Sequence, residues 1–162
     1  MDPSFWGRST WKYLHTLTFA YPMNPTDADK SKMINYFTQL PEFLPCTQCA
    51  ESFKLYLKYI PIHNFVDNTY SIVYWLYTIH FLVNKKLNKK NINLNSVVTE
   101  YIAHKTSCDT KIITSNVGKC TAPINDNKNN AKNLEFVIGC KQYTDKMNLH
   151  LANLINDYPL LQ

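Results

Sequence analysis

Two cysteines separated by two residues, Cys46 and Cys49, sit in the segment LPCTQCAES (44–52), directly after Pro45. Proline is favoured at the first position of a helix, so both sulfurs are expected in one first turn. Free backbone N–H groups and the helix dipole stabilise a thiolate there, and the thiolate is the nucleophilic form of the side chain. The same spacing lets the two sulfurs close into a reducible disulfide. The rival chemistry is half of a zinc site, with His104 and Cys108 as the other ligands, although their spacing departs from the usual zinc patterns. No strand precedes the pair, which argues against a thioredoxin-like arrangement. Spacing alone favours a redox pair and leaves a zinc site or inert thiols as alternatives.

Two further constellations carry polar chemistry on apolar helix faces. Trp11 and His15 are four residues apart on one face. They read either as a core aromatic beside a satisfied histidine, or as a stacking platform and hydrogen-bonding group for a planar ligand. In WLYTIHFLVNKKLNKK (75–90), His80, Val83, Asn84 and Leu87 share a face, followed by Lys86 and Lys89. An imidazole and a carboxamide on such a stripe are costly unless something pairs with them. Lysines at a helix C-terminus are ordinary, but they also suit a ligand with a polar ring and a phosphate tail.

These groups need elements to position them. Asp2-Pro3 predicts a helix over 3–19, ended by Tyr21-Pro22. Thr26-x-x-Asp29 predicts a capping box and a second helix, with Met33, Ile34, Phe37 and Leu40 on one face and a stop at Pro41. A third helix follows Pro45 and runs to Pro61. A fourth runs over 68–87, with Ile72, Val73, Leu76, Ile79, His80, Val83 and Leu87 inward. Asn95 is expected to cap a short fifth helix containing Val98, Tyr101 and Ile102. Residues 106–133 are polar and irregular, 134–138 read as a strand or half a helix turn, and 141–158 as a helix with Met147, Leu151, Leu154 and Ile155 on one side. The fold class is all-α: a helical bundle over 1–102 with a C-terminal extension, partly helical, over 103–162.

Composition narrows the function. The chain has 162 residues, 45% hydrophobic and 14% aromatic, enough for one packed domain. With 3 glycines and no Gly-x-Gly-x-x-Gly or P-loop pattern, a Rossmann-type nucleotide site is unsupported. The net charge of +5 comes with a local lysine cluster at Lys85, Lys86, Lys89 and Lys90 and not a basic stripe, so no nucleic-acid partner is expected. No apolar run approaches the ~18 residues of a membrane span. The first residues resemble neither a signal peptide nor a transit peptide, so synthesis in a reducing compartment is expected. In that setting the 5 cysteines point to catalytic or metal-binding thiols before structural ones.

Three blocks, GRSTWKYLH (7–15), PCTQC (45–49) and HFLVNKKLNKK (80–90), resemble in order and separation the signature blocks of the Erv/ALR family of FAD-linked sulfhydryl oxidases. YPMNPT (21–26) resembles the family's loop after its first helix. The family includes augmenter of liver regeneration and the oxidases of large cytoplasmic DNA viruses, and the resemblance covers about 3–102. It implies a five-helix FAD-binding bundle in which Cys46–Cys49 is the redox disulfide. Cys49 would face the flavin, and Cys46 would exchange with the dithiol of a protein substrate or of a thioredoxin-like relay protein. Electrons would pass to FAD and on to O2, giving H2O2.

The resemblance carries FAD contacts onto Gly7, Arg8, Trp11 and His15 in the first helix. It carries them onto Tyr77, His80, Val83, Asn84, Lys86, Leu87 and Lys89 in the fourth, and onto Tyr101, which replaces the family's usual tryptophan near the adenine. No metal is implied. A homodimer is implied, as is a location in host cytoplasm or virion if the source is viral. The third block departs from the family at Phe81, where an asparagine is usual. A structural disulfide of many members aligns with Tyr77 and Leu94, so apolar packing is expected to replace it. Cys108, Cys120 and Cys140 inherit no role; they read as inert thiols or, less favoured, as a shuttle with a Cys108–Cys120 or Cys120–Cys140 disulfide.

Overall fold

The computed structural model describes residues 1–105 and 128–158; among them are seven α-helices, one 3-10 turn and no strand. Helix α1 (Pro3–Ala20) is capped by Asp2, whose carboxylate accepts from the Ser4 N–H at 2.8 Å. Pro3 sits at the first position, where its missing N–H costs nothing. Helix α2 (Asp27–Phe43) opens on the expected Thr26–Asp29 capping box. It does not stop at Pro41. The proline lies in the last turn, where only one intrahelical bond is lost, and the helix runs on to Phe43. Helix α3 (Thr47–Tyr59) starts after Cys46, and a 3-10 turn (Ile62–Phe65) follows Pro61.

Asn68 and Ser71 form a second capping box that starts α4 (Thr69–Lys86). Its end is a Schellman turn: Asn88 N–H donates to the Lys85 carbonyl at 3.1 Å and Lys89 N–H to the Asn84 carbonyl at 2.8 Å. Asn88 has φ 52°, a conformation that asparagine tolerates better than most residues. Leu87, expected inward, is the exposed C-cap, because the turn carries the chain off the helix there. Helix α5 (Leu94–Lys105) begins before Asn95; the side chain of Asn93, not Asn95, accepts from the Ser96 N–H at 2.8 Å.

The stretch 134–138 is neither a strand nor half a turn. It lies inside α6 (Lys128–Lys141), where Phe136, Val137 and Cys140 are buried while Leu134 and Ile138 face out. The short apolar run that suggested a strand is divided between the two faces of this helix. Helix α7 (Thr144–Asp157) starts three residues later than expected and buries Met147 and Leu154.

Two clusters hold the elements together. The larger centres on Trp75, fully buried, whose Nε1 donates to the Ile60 carbonyl at 2.8 Å and whose ring meets Phe37 edge-on at 5.0 Å. Met147 and Leu154 of α7 belong to the same cluster. The smaller joins Phe19, Val73 and α5 to Phe136, Val137 and Cys140 of α6. The two C-terminal helices are therefore part of the core. Contact there is tight: a Cβ at Gly139 would stand 2.6 Å from the Tyr70 ring. Leu94 and Tyr77 share the smaller cluster, so packing occupies the two positions aligned with a disulfide.

Candidate functional site

Cys46 is the N-cap of α3, and its sulfur accepts from the Cys49 N–H at 3.2 Å. Cys46 and Cys49 are bonded to each other, both half-buried. The segment is anchored from two sides. The Met1 ammonium donates to the Pro45 carbonyl at 2.8 Å, and Lys86 Nζ donates to Ser52 Oγ at 2.7 Å, tying the end of α4 to the turn after Cys49. A sulfur at this cap is favoured as a thiolate, because it takes an otherwise free helical N–H and lies at the positive end of the dipole. The two sulfurs are joined as a disulfide and are not arranged as a pair of zinc ligands.

The second feature is a histidine pair between α1 and α4. His15 Nε2 and His80 Nδ1 lie 3.0 Å apart, one donating to the other. Trp11 stacks on the His80 ring, with centroids 4.0 Å apart and planes within 2°. Tyr101 from α5 approaches His15 at 5.4 Å and is itself stacked on Phe19. Burial drives His15 down to about 3, with the neighbouring His80 adding to the effect. Burial also drives His80 down to about 4, and the Lys89 charge contributes. Both imidazoles are therefore neutral near pH 7. His15 Nδ1 is buried and has no hydrogen-bond partner.

This pair opens into a shallow cleft between α1, α4 and α5. His15, Tyr77, His80, Asn84 and Tyr101, all singled out in the sequence, line it. Trp11 backs it through His80, and Lys89 lies near enough to act on His80. The other expected contacts are not on the wall. Gly7 and Arg8 lie earlier on α1, and a Cβ at Gly7 would meet nothing within 4 Å. Val83 packs against the larger core cluster, Lys86 reaches Ser52, and Leu87 is exposed. Phe81, Asn91, Ile92, Val97 and Glu100 line the cleft without having been singled out as contacts. Helical spacing from Tyr101 points to Val97, four residues earlier. Asn91 and Ile92 arrive only because the Schellman turn folds the chain back.

Burial raises the Cys140 thiol to about 12, and this cysteine is free, so the Cys120–Cys140 pairing is not formed. Cys108 and Cys120, and a bridge between them, lie outside the described residues.

Residues 8–103, which carry this disulfide and this cleft, match the Erv1 / Alr family model. The chain belongs to the Erv1 / Alr family. Similar proteins include the mitochondrial FAD-linked sulfhydryl oxidase erv1 of Schizosaccharomyces pombe, 32% identical over 87 residues, 54% of this chain and 48% of that protein. A probable FAD-linked sulfhydryl oxidase of Acanthamoeba polyphaga mimivirus is 32% identical, over 56% of this chain and 64% of that protein. The FAD-linked sulfhydryl oxidase of African swine fever virus is 33% identical, over 54% of this chain and 72% of that protein. This chain thus spans about half of the fission-yeast relative. The crystal structure of the FAD binding domain of Erv1 from Saccharomyces cerevisiae matches with a TM-score of 0.59 and 31% identity, covering 62% of this chain and 94% of that one. The all-α family fold is confirmed. Among the described residues no helix is long and apolar enough to cross a membrane.

Proposed function

We propose that this chain is an FAD-linked sulfhydryl oxidase that forms disulfide bonds in protein substrates. The observation that carries the reading is the oxidised Cys46–Cys49 pair at the start of α3, tied by Lys86 to the helix that bears His80. The cleft fits a flavin nucleotide on its own chemistry. Its walls are flat and uncharged at His15, His80 and Tyr101, His15 Nδ1 is a buried polar atom lacking a partner, and Lys89, whose charge acts on His80, could meet a phosphate. Trp11, His15, Tyr77, His80, Asn84, Lys89 and Tyr101 are the residues that would hold FAD, with Gly7, Arg8, Val83, Lys86 and Leu87 as further contacts carried by the family resemblance. Bound FAD supplies two-electron acceptor chemistry, with O2 as the terminal acceptor.

The chain's own cysteines perform the exchange with substrate. A substrate thiolate attacks Cys46 Sγ; the Cys46–Cys49 bond breaks, and Cys49 leaves as a thiolate in the first turn of α3. The substrate's second thiolate then attacks its own sulfur in the mixed disulfide. Cys46 leaves, and the Cys49 N–H at 3.2 Å stabilises the departing charge. The substrate gains a disulfide, and Cys46 and Cys49 are left reduced, holding the two electrons. The buried, neutral histidines leave their part of the cleft wall uncharged. The substrate is a protein dithiol or a thioredoxin-like relay, the assembly a homodimer, and the site of action host cytoplasm or virion if the source is viral, as the viral relatives favour.

Oxygen consumption by the purified protein with dithiothreitol tests the reading. The expected result is a yellow protein that consumes O2 and releases H2O2. A colourless protein that does neither, in the presence of added FAD, overturns it.

A further inference from the structure

Asn91 has no role in the chemistry above. It lies in the connection between α4 and α5, half-buried on the cleft wall beside Asn84, Glu100 and Tyr101. Its Oδ1 is buried and has no hydrogen-bond partner. A buried amide oxygen is costly to leave unpaired, and proteins carry few of them without a functional or solvent partner. The backbone places it there. The Schellman bonds from Asn88 and Lys89 turn the chain back after α4, and the left-handed Asn88 makes that turn possible. The adjoining ring, Tyr101, is held by stacking on Phe19 at 5.0 Å.

We propose that Asn91 reads the adenine ring of bound FAD, its amide oxygen accepting from the exocyclic amine while its amide N–H₂ donates to the neighbouring ring nitrogen. This deepens the reading of the chain as FAD-linked and rests on it. Adenine offers a donor beside an acceptor, and a carboxamide offers the complement, the pairing by which asparagine recognises adenine in nucleic acids. Position selects the adenine end over the flavin end. The redox ring must lie at the cysteines, and the start of α1 lies beside them through the Met1–Pro45 hydrogen bond. His15 stands 12 residues beyond Pro3 on α1. At 1.5 Å per residue that is roughly 18 Å along the axis. The part of the cleft formed by Tyr101 and Asn91 therefore receives the nucleotide's far end.

The test compares two ligands on the full chain: FAD, and its analogue in which hydrogen replaces the 6-amino group of the purine. Binding is followed by the change in flavin fluorescence, for the wild type and for Asn91→Ala. The wild type should bind FAD about tenfold more tightly than the analogue, the range of a hydrogen bond whose loss strands a buried partner. Asn91→Ala should bind both alike, and more weakly than the wild type binds the analogue, because the bond to the ring nitrogen is lost as well. The ratio is taken within one protein, so a change in the folded fraction cancels. Equal binding of both ligands by the wild type, or a preference that survives in Asn91→Ala, overturns the proposal. Failure of the wild type to bind FAD at all overturns the oxidase reading, and this proposal with it.

Discussion

Acidification should weaken the fold through two side chains, His15 and His80. Their imidazoles are buried against Trp11 and Tyr101, and they titrate in the fold at about 3 and about 4. In the unfolded chain a histidine titrates near ~6.5. The folded values are depressed, so between the two values the unfolded chain binds more protons. Stability is therefore fully present above the unfolded value and declines as the pH falls through this window. At about pH 5 each histidine costs about 2 kcal/mol, so the pair costs about 4 kcal/mol relative to pH 7.5. That is a large part of a domain's usual ~5–15 kcal/mol. The assay is urea denaturation at both pH values, on flavin-depleted wild type and on a His15→Gln, His80→Gln double variant, so that other titrating groups subtract out. The wild type should lose about 4 kcal/mol more than the double variant on going to the lower pH. Equal losses in both proteins would refute the neutral, buried pair.

Three further outcomes follow from the packing and the site. His80→Ala removes the ring that stacks on Trp11 and bonds to His15, so flavin should be retained poorly on gel filtration and added FAD should raise the melting temperature less than in the wild type. Gly139→Ala places a methyl 2.6 Å from the Tyr70 ring. The clash should outweigh the better helix propensity and cost about 1–3 kcal/mol in denaturant titrations; a variant as stable as the wild type would show that α6 stands further from α4. The Cys140 thiol, free but buried and raised to about 12, should resist alkylation in the native protein and react once it is unfolded, as read by mass spectrometry.

The parts of the fold legible in the sequence are those governed by short-range rules. Asp2-Pro3 and Thr26-x-x-Asp29 start helices where a side chain takes an early N–H, and each does so in the structure. The buried faces of α2 and most of α4 follow helical periodicity. Breaks were harder to place. Pro41 was expected to end α2, but a proline near a C-terminus removes a single bond that packing of Phe37 and Leu40 outweighs. Helical periodicity puts Leu87 inward, but Asn88 turns the chain at that point and leaves Leu87 exposed. The apolar run at 134–138 was ambiguous because short runs carry no period of their own; its helical state is set by contact with α4 and α5.

The same division holds at the site. Cys46, Cys49, Trp11, His15, His80 and Asn84 announce themselves as polar or reactive groups on apolar stripes. Asn91 and Ile92 sit in a polar, asparagine-rich connection and reach the cleft only through a turn that no periodicity describes. The hydrogen bond from Cys49 N–H to Cys46 Sγ also lay beyond the sequence, since it depends on the helix starting at Thr47 and not at Pro45.

The central claim is that electrons enter at Cys46–Cys49 and reach a flavin held in the same bundle. Its most direct test is anaerobic addition of a dithiol to the flavin-loaded wild type and to Cys49→Ser, followed by visible absorbance. The wild type should bleach on mixing and recover its colour when air is admitted. Cys49→Ser, with flavin still bound, should keep its absorbance unchanged. Bleaching of Cys49→Ser at the wild-type rate, or a wild type whose flavin stays oxidised under the dithiol, would contradict the account.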